Sequence, residues 1–371
     1  MSLTRRHLLL LATSALVASR LPAWALADTP PASGPLSTEA VEALLKKKKV
    51  PGASLAIIDE GAITTTFAYG SARAGSGDKV DAATRFQAAS LSKTINALLV
   101  LKLVEDGKLK LGDPVNDHLT SWKLGGKNAG EVTIKALLSH TGGTTVDGFN
   151  GFAPGKPLPT LIEVLDGKAP ANNPPVTASK KLGVFAYSGG GVTVLQQMVM
   201  DVTGEDYAVA AKRIVLAPLG MGNSNYAQPP SAAEAATIAY AHGKDGKPVR
   251  GNFNVYPELA AAGLWTTPSD MALAVSAILN SAAGSPGAFL SQALTTEMLT
   301  KVHTDAGLGV FINGRGRFYH NGVNEGFRDV FVGDPRPGKG RRGMVIMTNG
   351  ENGEVVHQTL LATVVKEYGW T

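Results

Sequence analysis

The chain has 371 residues, 44% hydrophobic and 18% charged, with a formal net charge of +5; this is long and apolar enough for a sizeable core and excludes a largely disordered polymer. It has no cysteine, which excludes disulfides, thiolate metal sites and a lipid-anchored cysteine. The net charge falls by three once Arg5, Arg6 and Arg20 leave with the leader described next, so nucleic acid is not an expected partner.

Residues 1–27 read as an export signal. A basic stretch, Thr4-Arg5-Arg6-His7, precedes the apolar run 8–17, and Ala25-Leu26-Ala27 places small residues for cleavage after Ala27. The paired arginines resemble a twin-arginine signal, which carries folded proteins across the bacterial inner membrane, so the expected location is the periplasm. Arg20 interrupts an apolar stretch already shorter than the ~20 residues a span requires, so no stable membrane insertion is expected after cleavage. Residues 28–36, rich in Pro, Ala, Ser and Gly, read as a linker.

The remaining residues, 37–371, read as one catalytic domain. A helix is expected over 38–49, and its Lys46 to Lys49 run is a solvated face at a helix C-terminus, where cations suit the dipole. β-rich runs at 53–58 and 63–69, joined by Asp59-Glu60-Gly61-Ala62, predict a hairpin. Ser90 opens a helical pattern carrying Ile95, Leu98, Leu99, Leu101, Leu103 and Val104, which ends near Gly107. Short helices among Gly- and Pro-rich loops follow: 134–139 capped by Thr133, 192–202 closed by Gly204, and one from Thr267-Pro268-Ser269-Asp270 to about 279. Strand patterns recur at 308–312, 317–320, 328–332 and 343–347, and 354–368 is a closing amphipathic helix. The predicted class is therefore α+β. N- and C-terminal segments, 37–75 and 290–371, form one antiparallel sheet flanked by terminal helices, with a mostly helical region inserted over 76–289.

Chemistry is signalled by Ser90 and Lys93 in the run Gln87-Ala88-Ala89-Ser90-Leu91-Ser92-Lys93-Thr94. Three residues are nearly one helical turn, so hydroxyl and amine share a face. A serine hydroxyl is a poor nucleophile unless a neighbouring base takes its proton. The same S-x-x-K spacing occurs at Ser76 and Lys79, but Gly77 and Asp78 between them favour a turn. Two further segments stand out: Tyr187-Ser188-Gly189-Gly190-Gly191 in a loop before a helix, and His320-Asn321-Gly322-Val323 at a strand end.

In that order, Ser90-Lys93, Tyr187-Ser188-Gly189 and His320-Asn321-Gly322 resemble the three motifs of the serine β-lactamase and penicillin-binding protein superfamily. The resemblance is to its branch of class C β-lactamases, D-Ala-D-Ala carboxypeptidases and β-lactamase-like esterases. It runs over roughly residues 37 to 371 and includes Leu137-Leu138-Ser139-His140-Thr141-Gly142-Gly143 and Ala262-Gly263-Leu264-Trp265-Thr266-Thr267-Pro268-Ser269-Asp270. It implies a β-lactamase/transpeptidase-like fold; no cofactor is expected, and no metal either, since the sequence shows no metal-ligand spacing.

It also implies that Ser90 forms an acyl-enzyme, and that either a neutral Lys93 amine or a Tyr187 phenolate takes the Ser90 proton. Tyr187 then donates to the leaving group and later activates water. The oxyanion hole would be the backbone N–H groups of Ser90 and Val323. Asn321, Gly322, Gly189 and Trp265 are expected at the substrate, with Gly322 acting through its missing side chain and Trp265 either lining the acyl pocket or anchoring the core.

Two departures shape the substrate expectation. His320 stands where many relatives carry lysine, and an imidazole there would make the rate titrate near neutral pH. Gly189 stands where many present an asparagine side chain. The expected substrates are therefore small-molecule esters, amides or D-amino acid peptides, with β-lactamase or D-Ala-D-Ala carboxypeptidase action, or a non-catalytic penicillin-recognising protein, as alternatives. His140 closes a short helix and reads as capping it or hydrogen bonding to the loop, and His118, His242, His303 and His357 show no ligand spacing. No G-x-S-x-G, H-E-x-x-H or G-x-x-x-x-G-K-[ST] occurs.

Overall fold

The computed structural model describes residues 27–370. The expected leader lies outside them, save Ala27. Ser37 caps the first helix, Thr38–Lys48, by accepting from the Ala40 N–H at 3.3 Å, and Lys49 ends it in the left-handed region. β1 (Gly52–Asp59) and β2 (Ala62–Gly70) form the predicted hairpin, with a register shift between Ile57 and Ile58. Two short strands, β3 (Phe86–Gln87) and β4 (Trp265–Thr266), pair antiparallel beside the main sheet. The C-terminal strands are β5 (Phe311–Ile312), β6 (Phe318–Asn324), β7 (Phe327–Asp334) and β8 (Arg342–Thr348). Helix Gly353–Glu367 follows.

The main sheet has the order β2-β1-β8-β7-β6-β5 with antiparallel pairing throughout. N- and C-terminal chain segments thus share it, and β1 sits against β8 from the far end of the sequence. Both faces are covered, which explains why β1 is a nearly continuous apolar run rather than an alternating one. Leu55 and Ile57 point to the terminal helices, where they meet Val41, Leu45, Val356, Leu360 and Val364. Ala56 and Ile58 point the other way, into the large core shared with the helical region.

Helix Pro268–Ala282 falls in the stretch read as the inserted region, yet it packs on β1, β2, β7 and β8. Its start matches the sequence expectation: Thr267 accepts from the Asp270 N–H at 3.1 Å and Pro268 occupies the first turn. A G-x-G-x-x-G spacing does occur, at Gly338, Gly340 and Gly343, but it connects β7 to β8 and leads into a strand, so it lacks the helix N-terminus a dinucleotide site needs. Among the described residues, no helix is long and apolar enough to cross a membrane.

Candidate active site

Ser90 lies in a short 3-10 turn, Ala89–Leu91, directly ahead of the α-helix Ser92–Glu105. The expectation that Ser90 itself opens the α-helix is corrected by two residues. Ala89 carries the turn at a φ of 47°, a conformation a non-glycine residue adopts at a cost. Contacts to Leu264 hold it there: Ala88 donates its N–H to the Leu264 carbonyl at 2.8 Å, and the Leu264 N–H donates to Ser92 Oγ at 3.1 Å.

Lys93, in the first turn of the helix, is 3% exposed. Its Nζ donates to Ser90 Oγ at 3.0 Å and to the Ala261 carbonyl at 2.8 Å, so the amine is held on the serine from both sides. The second S-x-x-K behaves as a turn: Ser76 bonds Asp78 and the Arg73 carbonyl, and the Lys79 side chain is exposed.

Tyr187 precedes the N-cap of helix Gly189–Thr203, which starts three residues earlier than its apolar pattern predicts. Ser188 Oγ accepts from the Gly191 N–H at 2.9 Å and donates to the Thr145 carbonyl at 2.8 Å. The glycines let this helix start press on the neighbouring segment. A Cβ on Gly190 would lie 2.6 Å from the Thr145 carbonyl oxygen, and one on Gly191 2.6 Å from Thr144 Oγ1. The result is a fixed phenol: Tyr187 OH donates to Ser90 Oγ at 3.0 Å.

β6 supplies the third wall. It runs to Asn324, so His320 and Gly322 lie within the strand rather than at its end. Alternation buries His320 and Gly322 and exposes Asn321 and Val323. Gly322 faces the nucleophile turn, where a Cβ would lie 2.6 Å from the Ala88 carbonyl oxygen. His320 Nδ1 lies 2.7 Å from the Asn321 carbonyl, and because a carbonyl only accepts, Nδ1 carries the hydrogen. Burial chiefly, and the Lys93 charge next, push the His320 pKa down to about 3, against the opposing bond to Asn321. Burial thus favours a neutral His320 imidazole near neutral pH, against the expectation of a titration there.

A cavity of about 330 Å³ opens onto these groups. Ser90, Lys93, Tyr187, His320, Asn321 and Val323 all line it. Three other expected substrate contacts do not. Trp265 is fully buried, packed edge-on against Phe253 and Phe327, and is an anchor of the core. Gly322 acts through close packing. Gly189 is buried, and Phe149 covers it: a Cβ there would meet Phe149 Cε2 at 3.0 Å.

Several participants went unread in the sequence. Phe149 and Phe311 line the cavity, as does Asn324, whose side-chain amide holds Gln87 and the Ala262 carbonyl. The ring of His140 lies 4.4 Å from that of Tyr187, and its Nδ1 accepts from the Ser188 N–H at 3.2 Å. Burial first, then the charge of Lys93, hold the His140 pKa well below the usual range. It does not bond Ser90; it supports the tyrosine. His140 lies within the stretch 137–143 and Ala261 directly precedes the stretch 262–270, but their partners are 48 and 168 residues away in sequence. Chemically, an alcohol oxygen that receives an amine and a phenol at a cavity wall is placed for proton removal and covalent transfer.

A family model described as Beta-lactamase matches residues 38–366. Protein flp of Staphylococcus aureus (strain N315) is 26% identical over 242 residues, covering 62% of this chain and 44% of that protein. Penicillin-binding protein 4 of Amycolatopsis lactamdurans is 32% identical over 189 residues, covering 50% of this chain and 47% of that protein. The match thus spans under half the length of either relative. Among solved structures, SurE superposes with a TM-score of 0.69 at 23% identity, covering 89% of this chain and 74% of that one. D-alanine carboxypeptidase AmpC from Burkholderia cenocepacia gives 0.65 at 22%, covering 88% and 97%. At these identities the two structures speak for the fold.

Proposed function

Because the chain belongs to the beta-lactamase family, we propose that it is a serine hydrolase working through an acyl-enzyme on Ser90, with small esters, amides or D-amino acid peptides as substrates. One observation carries the reading: Lys93 Nζ and Tyr187 OH each reach Ser90 Oγ at 3.0 Å on the wall of an open cavity.

Ser90 Oγ attacks the carbonyl carbon of the substrate while its proton passes to whichever of its two contacts is deprotonated, a neutral Lys93 amine or a Tyr187 phenolate. The carbonyl oxygen becomes an oxyanion, which the backbone N–H groups of Ser90 and Val323 stabilise; such donors are typically worth about 3 kcal/mol each. Collapse breaks the bond to the leaving alcohol or amine, which takes a proton from Tyr187. Water then attacks the ester on Ser90, gives a proton to Tyr187, and the acid departs as Ser90 regains its hydrogen. The carbonyl of Ala261 keeps the Lys93 amine on the serine throughout.

Simple esters are placed first among the substrates because the wall near Gly189 is the ring of Phe149, which offers no hydrogen bond to an acylamino group. A fluorophosphonate probe should label the protein at Ser90, and Ser90→Ala should abolish labelling and lower p-nitrophenyl ester hydrolysis by at least about 10³-fold. In parallel assays the ester should outrun a chromogenic cephalosporin and a D-Ala-D-Ala peptide. Faster cephalosporin turnover would make the protein a β-lactamase instead, and neither label nor turnover would leave a binding protein.

A further inference from the structure

His320 Nε2 is a buried nitrogen without a hydrogen-bond partner in the described structure. The residue is 2% exposed and lines the cavity beside Ser90 and Lys93. Since Nδ1 is committed as a donor to the Asn321 carbonyl, Nε2 of the neutral ring presents a lone pair. An acceptor buried without a donor costs free energy, and a ligand that supplies the donor recovers it.

The other charges at the cavity point the same way. Among the described residues Lys93 is the one basic side chain other than His320 lining it, and its Nζ already bonds Ser90 Oγ and the Ala261 carbonyl. Asp147 lines the mouth with a largely exposed carboxylate, paired to Lys180 at 2.8 Å. Phe149, Phe311 and Val323 are the apolar part of the remaining wall; Asn321 and Asn324 also line it, the Asn324 amide already donating to Gln87 and the Ala262 carbonyl. A substrate carboxylate arriving at His320 Nε2 would meet a lone pair and no free cation, and would lose hydration that this acceptor cannot replace.

We propose that His320 sets the substrate class: the ester or amide turned over at Ser90 presents an N–H or O–H donor to His320 Nε2, and a carboxylate at that point is rejected. The inference rests on the hydrolase reading above and deepens it.

The test uses aryl esters of one short dicarboxylic chain ending in a primary carboxamide, a methyl ester or a free carboxylate, and a second set carrying the same three groups on the leaving phenol. In one set or the other, kcat/KM for the carboxamide should exceed that for the carboxylate by at least about tenfold, with the methyl ester between. His320→Lys should invert the order, and His320→Gln, which keeps a polar group and offers both donor and acceptor, should flatten it. Equal rates across both sets, or a faster carboxylate, would overturn the proposal. If no ester is turned over, the hydrolase reading has failed separately. NMR titration with phenylboronic acids bearing the same three groups then decides: tighter binding of the carboxamide supports the assignment, and equal, reversed or absent binding sinks it.

Discussion

Ser90 Oγ accepts from Lys93 and Tyr187 at the same distance, and the burial of the groups around it decides which of them change charge near neutral pH. The rings facing His320 are Tyr187, Phe311 and Phe331, and the charge facing it is Lys93. Desolvation dominates, so His320 stays neutral from roughly pH 5 to 8, far above its lowered pKa. His140, on the other side of the Tyr187 ring, is held neutral for the same reason. The expected pH profile of kcat/KM for a neutral ester therefore contains no inflection from His320 in that range. Comparing wild type with His320→Asn checks this: the variant changes the rate but keeps the shape of the profile between about pH 5 and 8. An inflection near 6.5 present in wild type and absent in the variant would show that the imidazole titrates during turnover.

Elements carry the site by close approach, and β6 is the clearest case. Gly322 lets the strand lie against the turn that holds Ser90, so Gly322→Ala would put a Cβ into the Ala88 carbonyl and force strand and turn apart. Displacement of reacting groups by about 1 Å can cost 10²-fold in rate, and kcat/KM should fall by about that much while overpacking costs about 1–3 kcal/mol of stability. Steady-state kinetics and denaturant melts measure the two; unchanged activity would place the glycine outside the machinery. Much of this element layer was legible: the β1–β2 hairpin and the strands of the C-terminal half show as apolar runs, and the Thr267 and Thr133 caps show as side chains before helical patterns. The rest was hidden wherever tertiary contact overrides local preference. Helix Gly189–Thr203 begins in three poor helix formers because only they fit against residues 144–147. β6 continues through Asn321, Gly322 and Asn324, poor strand formers, because β7 pairs with all of them. The 3-10 turn with Ala89 at positive φ has no signature in its own residues. Phe149 went unread and Trp265 stays open between pocket and core in the sequence, because aromatic residues read alike in core and cavity wall.

At the scale of the whole molecule, a chain without disulfides is held by two packed cores, and ionisable groups sealed within them make its stability depend on pH. Four histidines, His140, His242, His320 and His357, have folded pKa values below the usual one, chiefly by desolvation, His357 to about 4. Their contribution is complete above about pH 6.5 and is lost as pH falls, because the unfolded chain takes up protons that the fold refuses. Glu258 works in the opposite sense. It is fully buried at the head of the Leu259–Ala262 helix that holds Lys93, neither carboxylate oxygen has a partner in the described structure, and desolvation raises its pKa to about 7. Its stabilising contribution is present below the unfolded value of about 4.5 and disappears as pH rises through 7, when a bare carboxylate must be kept inside. Glu258→Gln keeps the shape and removes the titration. The variant should therefore gain stability over wild type at pH 8 by about 2 kcal/mol more than at pH 5, at roughly 1.4 kcal/mol per unit of pKa shift. Urea unfolding of both proteins at the two pH values gives the difference directly. A difference that does not change with pH would mean that Glu258 is ionised in the fold at both, with its charge compensated; a gain confined to alkaline pH would make this carboxyl the brake on stability there.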